Sequence, residues 1–316
     1  MRTALLSTPQ DALGGNRTTA LRWAGRLRSL GWSVRRAEHA RRRPPCVHVD
    51  LLIALHAVKV RSEIERLMDL HPEARLVVAC TGTDIYELGA EAQPLLERAD
   101  GIIVLQEHAL RELSSTQRQR AHVIHQAMPR RSVPAREAAE IAVVASLRAV
   151  KEPLLPAEAA RLLPERSELR VIHVGAALDP QIAEAARLEQ ANNPRYEWRG
   201  NVRRSEALCL LGGARAVVVP SRSEGGANVI TEAFALGVPV LASEIPGNTG
   251  LLGEQHPGLF RPGDAEGLAR LMLQVESESG FAEQLSRLSN ERAALAAPER
   301  ESAAWLDLLG DLGLGS

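Results

Sequence analysis

The chain is poor in several residue types, and each shortage excludes something. It has three cysteines, Cys46, Cys80 and Cys209, odd in number and far apart. They form no C-x-x-C pair, so neither a disulfide framework nor a cysteine zinc site is expected, and a reducing, cytoplasmic location fits. Aromatic residues make up only 3%. Without aromatics interleaved among basic residues there is no nucleic-acid recognition motif, and no nucleic-acid partner is expected. No apolar run approaches the roughly 20 residues of a membrane span. The opening Met1–Pro9 stretch has too short an apolar centre for a signal peptide and reads as a first strand. Only two lysines occur, Lys59 and Lys151, beside 36 arginines. There is no low-complexity tract and no short-period repeat.

What remains is an ordinary folded composition, 316 residues with 45% hydrophobic and 24% charged. That length suits two domains of about 150 residues. The formal net charge of −1 hides a split: residues 1–133 balance to +6 and residues 134–316 to −7. Short apolar runs alternate with amphipathic segments throughout. Thr3–Ser7, Val49–Leu55, Leu76–Cys80, Ile102–Leu105 and His122–His125 read as buried strands, with Trp32–Arg36 weaker. Arg17–Leu30, Val58–Leu70 and Gly89–Ala99 read as helices between them, and Ala40–Cys46 as a loop. Arg22, Arg26 and Arg28 lie on the first helix, but Leu21, Trp23 and Leu27 suit core packing, so no stable membrane association is expected. In the second half, Ile141–Ala145, Arg170–Val174, Tyr196–Trp198, Ala216–Val219 and Pro239–Ala242 read as strands. Pro180–Gln190, Arg204–Leu211 and Ala227–Leu236 read as helices. After Asp264 the pattern is helical to about Ala296, and Glu301–Leu312 forms a last amphipathic segment after Pro298. This βαβ rhythm predicts an α/β protein with two Rossmann-like, doubly wound parallel-sheet domains facing across a cleft. The expected divisions are 1–133, 134–298 and a terminal helix, 299–316, packing back on the first domain, with Pro129–Ala138 as linker.

The most informative stretch is Val217–Ser243, VVVPSRSEGGANVITEAFALGVPVLAS. A β-branched strand ends at Pro220, a serine-rich turn carries Glu224, Gly225, Gly226, Ala227 and Asn228, and a helix follows until Gly237. Paired glycines before a helix let backbone N–H groups approach an anion, and the helix N-terminus adds favourable partial charge. Glu224 and Glu232 are separated by seven residues, and carboxylates suit sugar and ribose hydroxyls because each oxygen accepts hydrogen bonds. Upstream, VVASLRAVKEP (Val143–Pro153) runs from a strand into a loop bearing Arg148 and Lys151.

Together these stretches resemble the E-x7-E motif and cationic loop of retaining glycosyltransferases of the GT-B fold. The resemblance implies that Arg148 and Lys151 contact the donor's diphosphate, where they stabilise charge developing as the sugar bond breaks. It implies that Glu224 holds the sugar and Glu232 the ribose, with Arg148, Lys151 and Gly225–Asn228 holding the leaving UDP. Ala145 stands where many relatives have glycine. The turn Arg199–Gly200–Asn201 lies where relatives hold the nucleobase, with an ordinary αβ turn as the alternative. No two aspartates are separated by a single residue, so the carboxylate clamp for a metal diphosphate is missing and metal independence is expected, with no cofactor. No third lysine is available as a separate pyridoxal-phosphate anchor.

In an open parallel sheet, ligands sit beyond the carboxyl ends of the strands. For the first domain those positions hold Gly14, Gly15, Asn16, Arg17, His56, Lys59, Thr81, Gly82, Thr83, Asp84, Gln106 and Gln126. These loops are polar and small, which suits a small anionic acceptor, and the domain's +6 balance would draw one in. His56 has a structural alternative, satisfying a buried backbone group, and Asp84 has another, capping the next helix.

The stretches NRTTALRWAGRLRSLGW, LLIALHAVK, VVACTGTDIY, VLQEHA, VIHQA, SLRAVKEP, ALDP and SEGGANVITEA resemble, in this order, the selenosugar synthases of selenoneine biosynthesis. That resemblance implies transfer of a sugar, typically N-acetylglucosamine, from a UDP-sugar to selenophosphate with formation of a C–Se bond. It implies functional links to a selenophosphate synthetase and a downstream selenoneine synthase. A selenium nucleophile is soft and anionic and needs little help from a general base. The acceptor side should then supply positive charge and hydrogen-bond donors, such as Arg17, Lys59 and the glycine and threonine loops. His56 would bind phosphoryl oxygens or assist loss of phosphate. Two alternatives stay open: a glycosyltransferase of this fold making an O-glycosidic bond to another small acceptor, and a non-catalytic UDP-sugar-binding protein.

Overall fold

A computed structural model describes residues 1–9, 15–37, 48–131 and 139–315. The expected loop Ala40–Cys46, the Gly14 position and the 133/134 division lie outside the described residues. The chain forms two six-stranded sheets, and every neighbouring pair of strands is parallel.

The first sheet has strand order β2-β1-β3-β4-β5-β6. Its strands are β1 (Thr3–Ser7), β2 (Ser33–Arg36), β3 (Leu51–Leu55), β4 (Arg75–Ala79), β5 (Gly101–Val104) and β6 (Ala121–Val123). The second has order β12-β11-β10-β7-β8-β9, formed by β7 (Glu140–Val144), β8 (Arg170–Val174), β9 (Tyr196–Trp198), β10 (Ala216–Val219), β11 (Val240–Ser243) and β12 (Leu259–Phe260). β1, β3 and β10 are buried at every position, as strands covered on both faces must be. The direction of strand addition reverses between β1 and β3 in one sheet and between β7 and β10 in the other. Such reversals leave the crevices where open α/β sheets bind ligands.

Contacts divide the chain into two units. One comprises Met1–Gln126, Glu224–Asn228 and Pro298–Ser316; the other comprises Ala127–Ser223 and Val229–Ala297. In the first unit the terminal helix Pro298–Asp311 buries Trp305, Leu308 and Leu309. Trp305 meets Trp23 edge to face with ring centroids 5.2 Å apart, and neither is exposed.

Some sequence expectations need correction. The helical stretch after Asp264 is not continuous. It breaks at Glu278, whose backbone is extended, into Ala265–Ser277 and Ser279–Arg292, followed by a 3-10 turn at Ala293–Ala296. Leu21 is half exposed whereas Trp23 and Leu27 are buried. Residues 23 and 27 share a face at i, i+4, but two positions along a helix turn the side chain to the other side. Helix Leu155–Arg161 and strand β12 have no strong pattern of their own and were not expected. A helix, Pro246–Leu252, follows β11 and has no counterpart among the expected elements. Pro298 opens the last helix, which is where proline suits one.

Two buried histidines tie the second unit's stability to pH. Burial pushes His173 from the ordinary 6.5 down to about 4, and burial with the Arg292 charge does the same to His256. The unfolded chain therefore takes up these protons first. Their contribution is complete above pH 6.5, falls as pH drops through the window toward 4, and amounts to about 3 kcal/mol each at most. Urea midpoints are expected to fall steadily between pH 7 and pH 4.5. His173→Gln should flatten that slope.

Candidate functional site

At the reversal point of the second sheet, β7 runs into Ala145, Ser146 and Leu147, which continue beside β8. Ala145 N–H donates to Val174 O at 3.0 Å and Leu147 N–H to Ala176 O at 2.9 Å. His173 fixes this exit from below. Its Nε2–H donates to Ala145 O at 2.8 Å, and its Nδ1 accepts from the Tyr196 hydroxyl at 3.0 Å. Those two partners define a neutral imidazole, consistent with its lowered pKa. Gly175 is required here, because a Cβ on it would lie 1.8 Å from Ala145 O. Arg148 precedes and Lys151 ends a 3-10 turn, Ala149–Lys151, and both are half-buried.

That cationic turn is clamped to the exit of β10. Arg222 N–H donates to Val150 O at 2.9 Å, and the Arg222 guanidinium donates to Glu152 at 2.6 Å. Glu152 takes a left-handed backbone, φ 42°, to end the turn. Ser221, beside Arg222, accepts on its carbonyl from the Ser243 hydroxyl, which Asn248 also engages. The two loops flanking the crevice are thus held by charge and hydrogen bonds before any ligand arrives.

Glu232 lies in the helix Asn228–Leu236, buried with Ile230, Ala233 and Phe234 around it. Its Oε1 accepts from Arg204 Nη2 at 2.8 Å. Gly200 has φ +70° and accepts on its carbonyl from Gly175 N–H at 2.8 Å. The neighbouring Arg199 guanidinium turns back to Glu197.

The segment Glu224–Asn228 groups by contacts with the first unit. The two glycines, read in the sequence as making room for an anion, have a further steric reason. A Cβ on Gly225 would lie 2.4 Å from the Thr81 carbonyl carbon, and one on Gly226 would lie 2.7 Å from Leu105 Cβ. Reciprocally, a Cβ on Gly82, whose φ is +142°, would lie 2.9 Å from Gly225 N. Ala227 is buried and Glu224 nearly so. Asn228 Nδ2 donates to Thr19 Oγ1 at 3.3 Å.

Around the first sheet's crevice, Gly15, Asn16 and Arg17 open the helix Gly15–Ser29 directly after β1, with Gly15 and Arg17 exposed. His56 leaves β3 with φ +78°, rare for a side-chain-bearing residue, and is buried. Its Nδ1 accepts from the N–H groups of Val58 and Lys59 at 3.4 and 3.3 Å. Nε2 then carries the proton and donates to Thr83 Oγ1 at 3.0 Å. Lys59 itself is exposed. Asp84 is not the cap residue of Thr83–Tyr86; Gly82 is. Instead its buried carboxylate reaches back to three backbone donors, Thr81 N–H, Gly82 N–H and Ala57 N–H, at 2.8 to 2.9 Å. It joins the β3 and β4 exit loops and holds the Thr81–Gly82 seat in place. Gln106 is likewise occupied, accepting from His108 N–H at 2.6 Å and donating to the Tyr86 hydroxyl at 2.7 Å. Gln126 donates to Thr19 Oγ1 at 2.6 Å. Burial and the Asp84 charge raise the Cys80 thiol well above its usual range, so it is an inert core residue.

Sequence reasoning missed Arg222, Arg204, His173 and Thr19. The carboxylate partners of Arg222 and Arg204 lie 70 and 28 positions away, so no local spacing reveals them. Glu152 directly after Lys151 was a usable hint. Among the described residues no group of three or more His, Cys, Asp or Glu side chains is placed to hold a metal ion. No helix among them is long and apolar enough to cross a membrane.

Two parallel sheets with these crevices define the GT-B architecture. The family model of glycosyl transferases group 1 matches residues 126–292, just over half the chain, and the chain belongs to that family. It is 35% identical over 79 residues to TuaC of Bacillus subtilis, a protein named for teichuronic acid biosynthesis. That match takes in 25% of this chain and only 20% of TuaC. Sucrose-phosphate synthase of Thermosynechococcus elongatus superposes with a TM-score of 0.79 over 100% of both chains, at 18% identity. HepE of Anabaena, solved in complex with UDP-glucose, gives 0.75 over 99% of this chain and 100% of its own, at 14% identity. At these identities the two structures show a shared fold.

Proposed function

We propose that the protein transfers a sugar, N-acetylglucosamine, from UDP to selenophosphate, giving a selenosugar for selenoneine biosynthesis. Family membership and the clamped Arg148–Lys151 turn at the β7–β10 crevice carry the donor half of this reading. The UDP-glucose complex of HepE supports a uridine donor. In the reaction, selenium attacks C1 of the sugar, the C1–O bond to the diphosphate breaks, and UDP leaves with the electron pair. Water then cleaves the Se–P bond, releasing phosphate and the selenol. Arg148 and Lys151 neutralise the departing diphosphate with the Gly225–Asn228 turn, while Glu224 holds the sugar and Glu232 the ribose. On the acceptor side, His56 and Thr83 offer a held imidazole–hydroxyl pair, and Lys59 and Arg17 supply positive charge. Asp84 acts on this side by fixing the loops. No metal or other cofactor takes part.

The experiment is direct. Purified protein with UDP-N-acetylglucosamine and selenophosphate should release UDP and yield a product bearing the selenium isotope pattern by mass spectrometry, unchanged by EDTA. UDP release only with some other acceptor would refute the selenium reading and leave the family assignment intact. The TuaC similarity favours one second reading, in which the same donor chemistry makes an O-glycosidic bond.

A further inference from the structure

Arg203 and Arg204 stand at the N-cap and first position of the helix Arg204–Gly213. Helix N-termini favour carboxylates and disfavour cations, so helix stability does not explain either residue. Arg204 is half exposed, yet its guanidinium points to the one buried carboxylate of the helix Asn228–Leu236. Glu232 sits there among apolar side chains, where an ionised carboxylate is costly unless it is paired. The pair therefore does two things at once. It sets a cation against the Glu232 carboxylate, and it engages Oε1, which restricts rotation of the carboxylate.

We infer that Arg204 is a positioning residue that makes the nucleotide site select ribose. This rests on the reading above, in which Glu232 receives the ribose. A cis-diol presents two donors with a fixed spacing, and a carboxylate whose rotation is held accepts from both. A carboxylate free to turn gives up part of that match, because each hydrogen bond depends steeply on angle. Arg204 acts through Glu232 and makes no contribution to a nucleotide that lacks the hydroxyls.

The test compares UDP with 2′,3′-dideoxy-UDP by calorimetric titration of the full chain. Wild-type protein should prefer UDP. Arg204→Ala should weaken UDP binding on the order of tenfold, the worth of a hydrogen bond to a charged group, and leave dideoxy-UDP nearly unchanged. Arg204→Lys should recover part of the loss, since it returns the charge without the planar fork. Arg204→Ala combined with Glu232→Gln should bind UDP no more weakly than Glu232→Gln alone. Equal weakening of both nucleotides in Arg204→Ala would mark a merely structural role and overturn the inference, as would no weakening at all. Should Arg204→Ala fail to fold, the same comparison is made with Arg204→Lys and Arg204→Gln. Wild-type protein that binds neither nucleotide overturns the donor reading itself, and wild-type protein that binds both equally removes Glu232 from the ribose.

Discussion

Lys151→Ala is expected to cut turnover by about 10²–10³-fold, the usual cost of removing one preorganised group that faces developing charge. On the proposed reaction the leaving diphosphate gains negative charge only as the C1–O bond breaks, so the loss should appear in kcat more than in KM. The geometry argues for preorganisation. The turn that carries Lys151 is held by the Arg222–Glu152 ion pair, by Arg222 N–H on Val150 O, and by His173 beneath Ala145. A cation held this way does little reorganising during the reaction, which is what makes it effective. Lys151→Arg should retain part of the activity, because it keeps the charge but not the compact ammonium. Steady-state UDP release with UDP-N-acetylglucosamine is the measurement. Undiminished turnover in Lys151→Ala would remove the residue from the reaction.

Trp305→Ala is expected to destabilise the first unit by about 3–5 kcal/mol, the range for truncating a fully buried large aromatic. The edge-to-face contact with Trp23 accounts for about 0.5–1.5 kcal/mol of that. The value should fall toward the lower end, because the Trp305 indole N–H is buried without a hydrogen-bond partner and its removal recovers that penalty. Urea unfolding of the variant measures the change, and Trp305→Phe should lose markedly less. A shift below about 1 kcal/mol would mean the helix Pro298–Asp311 contributes little to this core.

Much of the fold was legible because parallel strands buried on both faces announce themselves as apolar runs. Arg170–Val174, Tyr196–Trp198 and Ala216–Val219 match the expected limits residue for residue. The two-residue strand Leu259–Phe260 was not legible, since it exists only because β11 offers it an edge. The break at Glu278 was hidden for a related reason: the local run of acidic, serine and glycine residues, Glu276–Gly280, contains no proline to mark it. The candidate site shows the same divide. Residues close in sequence, such as Glu224 to Glu232 or Arg148 to Lys151, carry their chemistry in their spacing. The residues that hold them, Arg204, Arg222 and His173, are found through partners 20 to 70 positions away. Asp84 shows what residue type alone does not reveal: its buried carboxylate accepts from three backbone N–H groups and lies 3.8 Å from His56 Nδ1.

The first unit is assembled from three stretches of chain, and the last begins at Pro298. During synthesis the ribosome delivers residues 1–126 first, and a domain usually folds as soon as it has emerged. Here Trp23 lacks its edge-to-face partner, and its side of the sheet has the first helix but not the last to cover it, until residue 305 leaves the exit tunnel. At translation rates of about 5–20 residues per second, the more than 170 residues in between impose a wait on the order of ten seconds or more. The second unit, whose stretches are complete by Ala297, has the opportunity to fold before the first is finished. The order of manufacture and the order of completion are therefore reversed, and a chain halted before its final helix would expose an apolar face to chaperones.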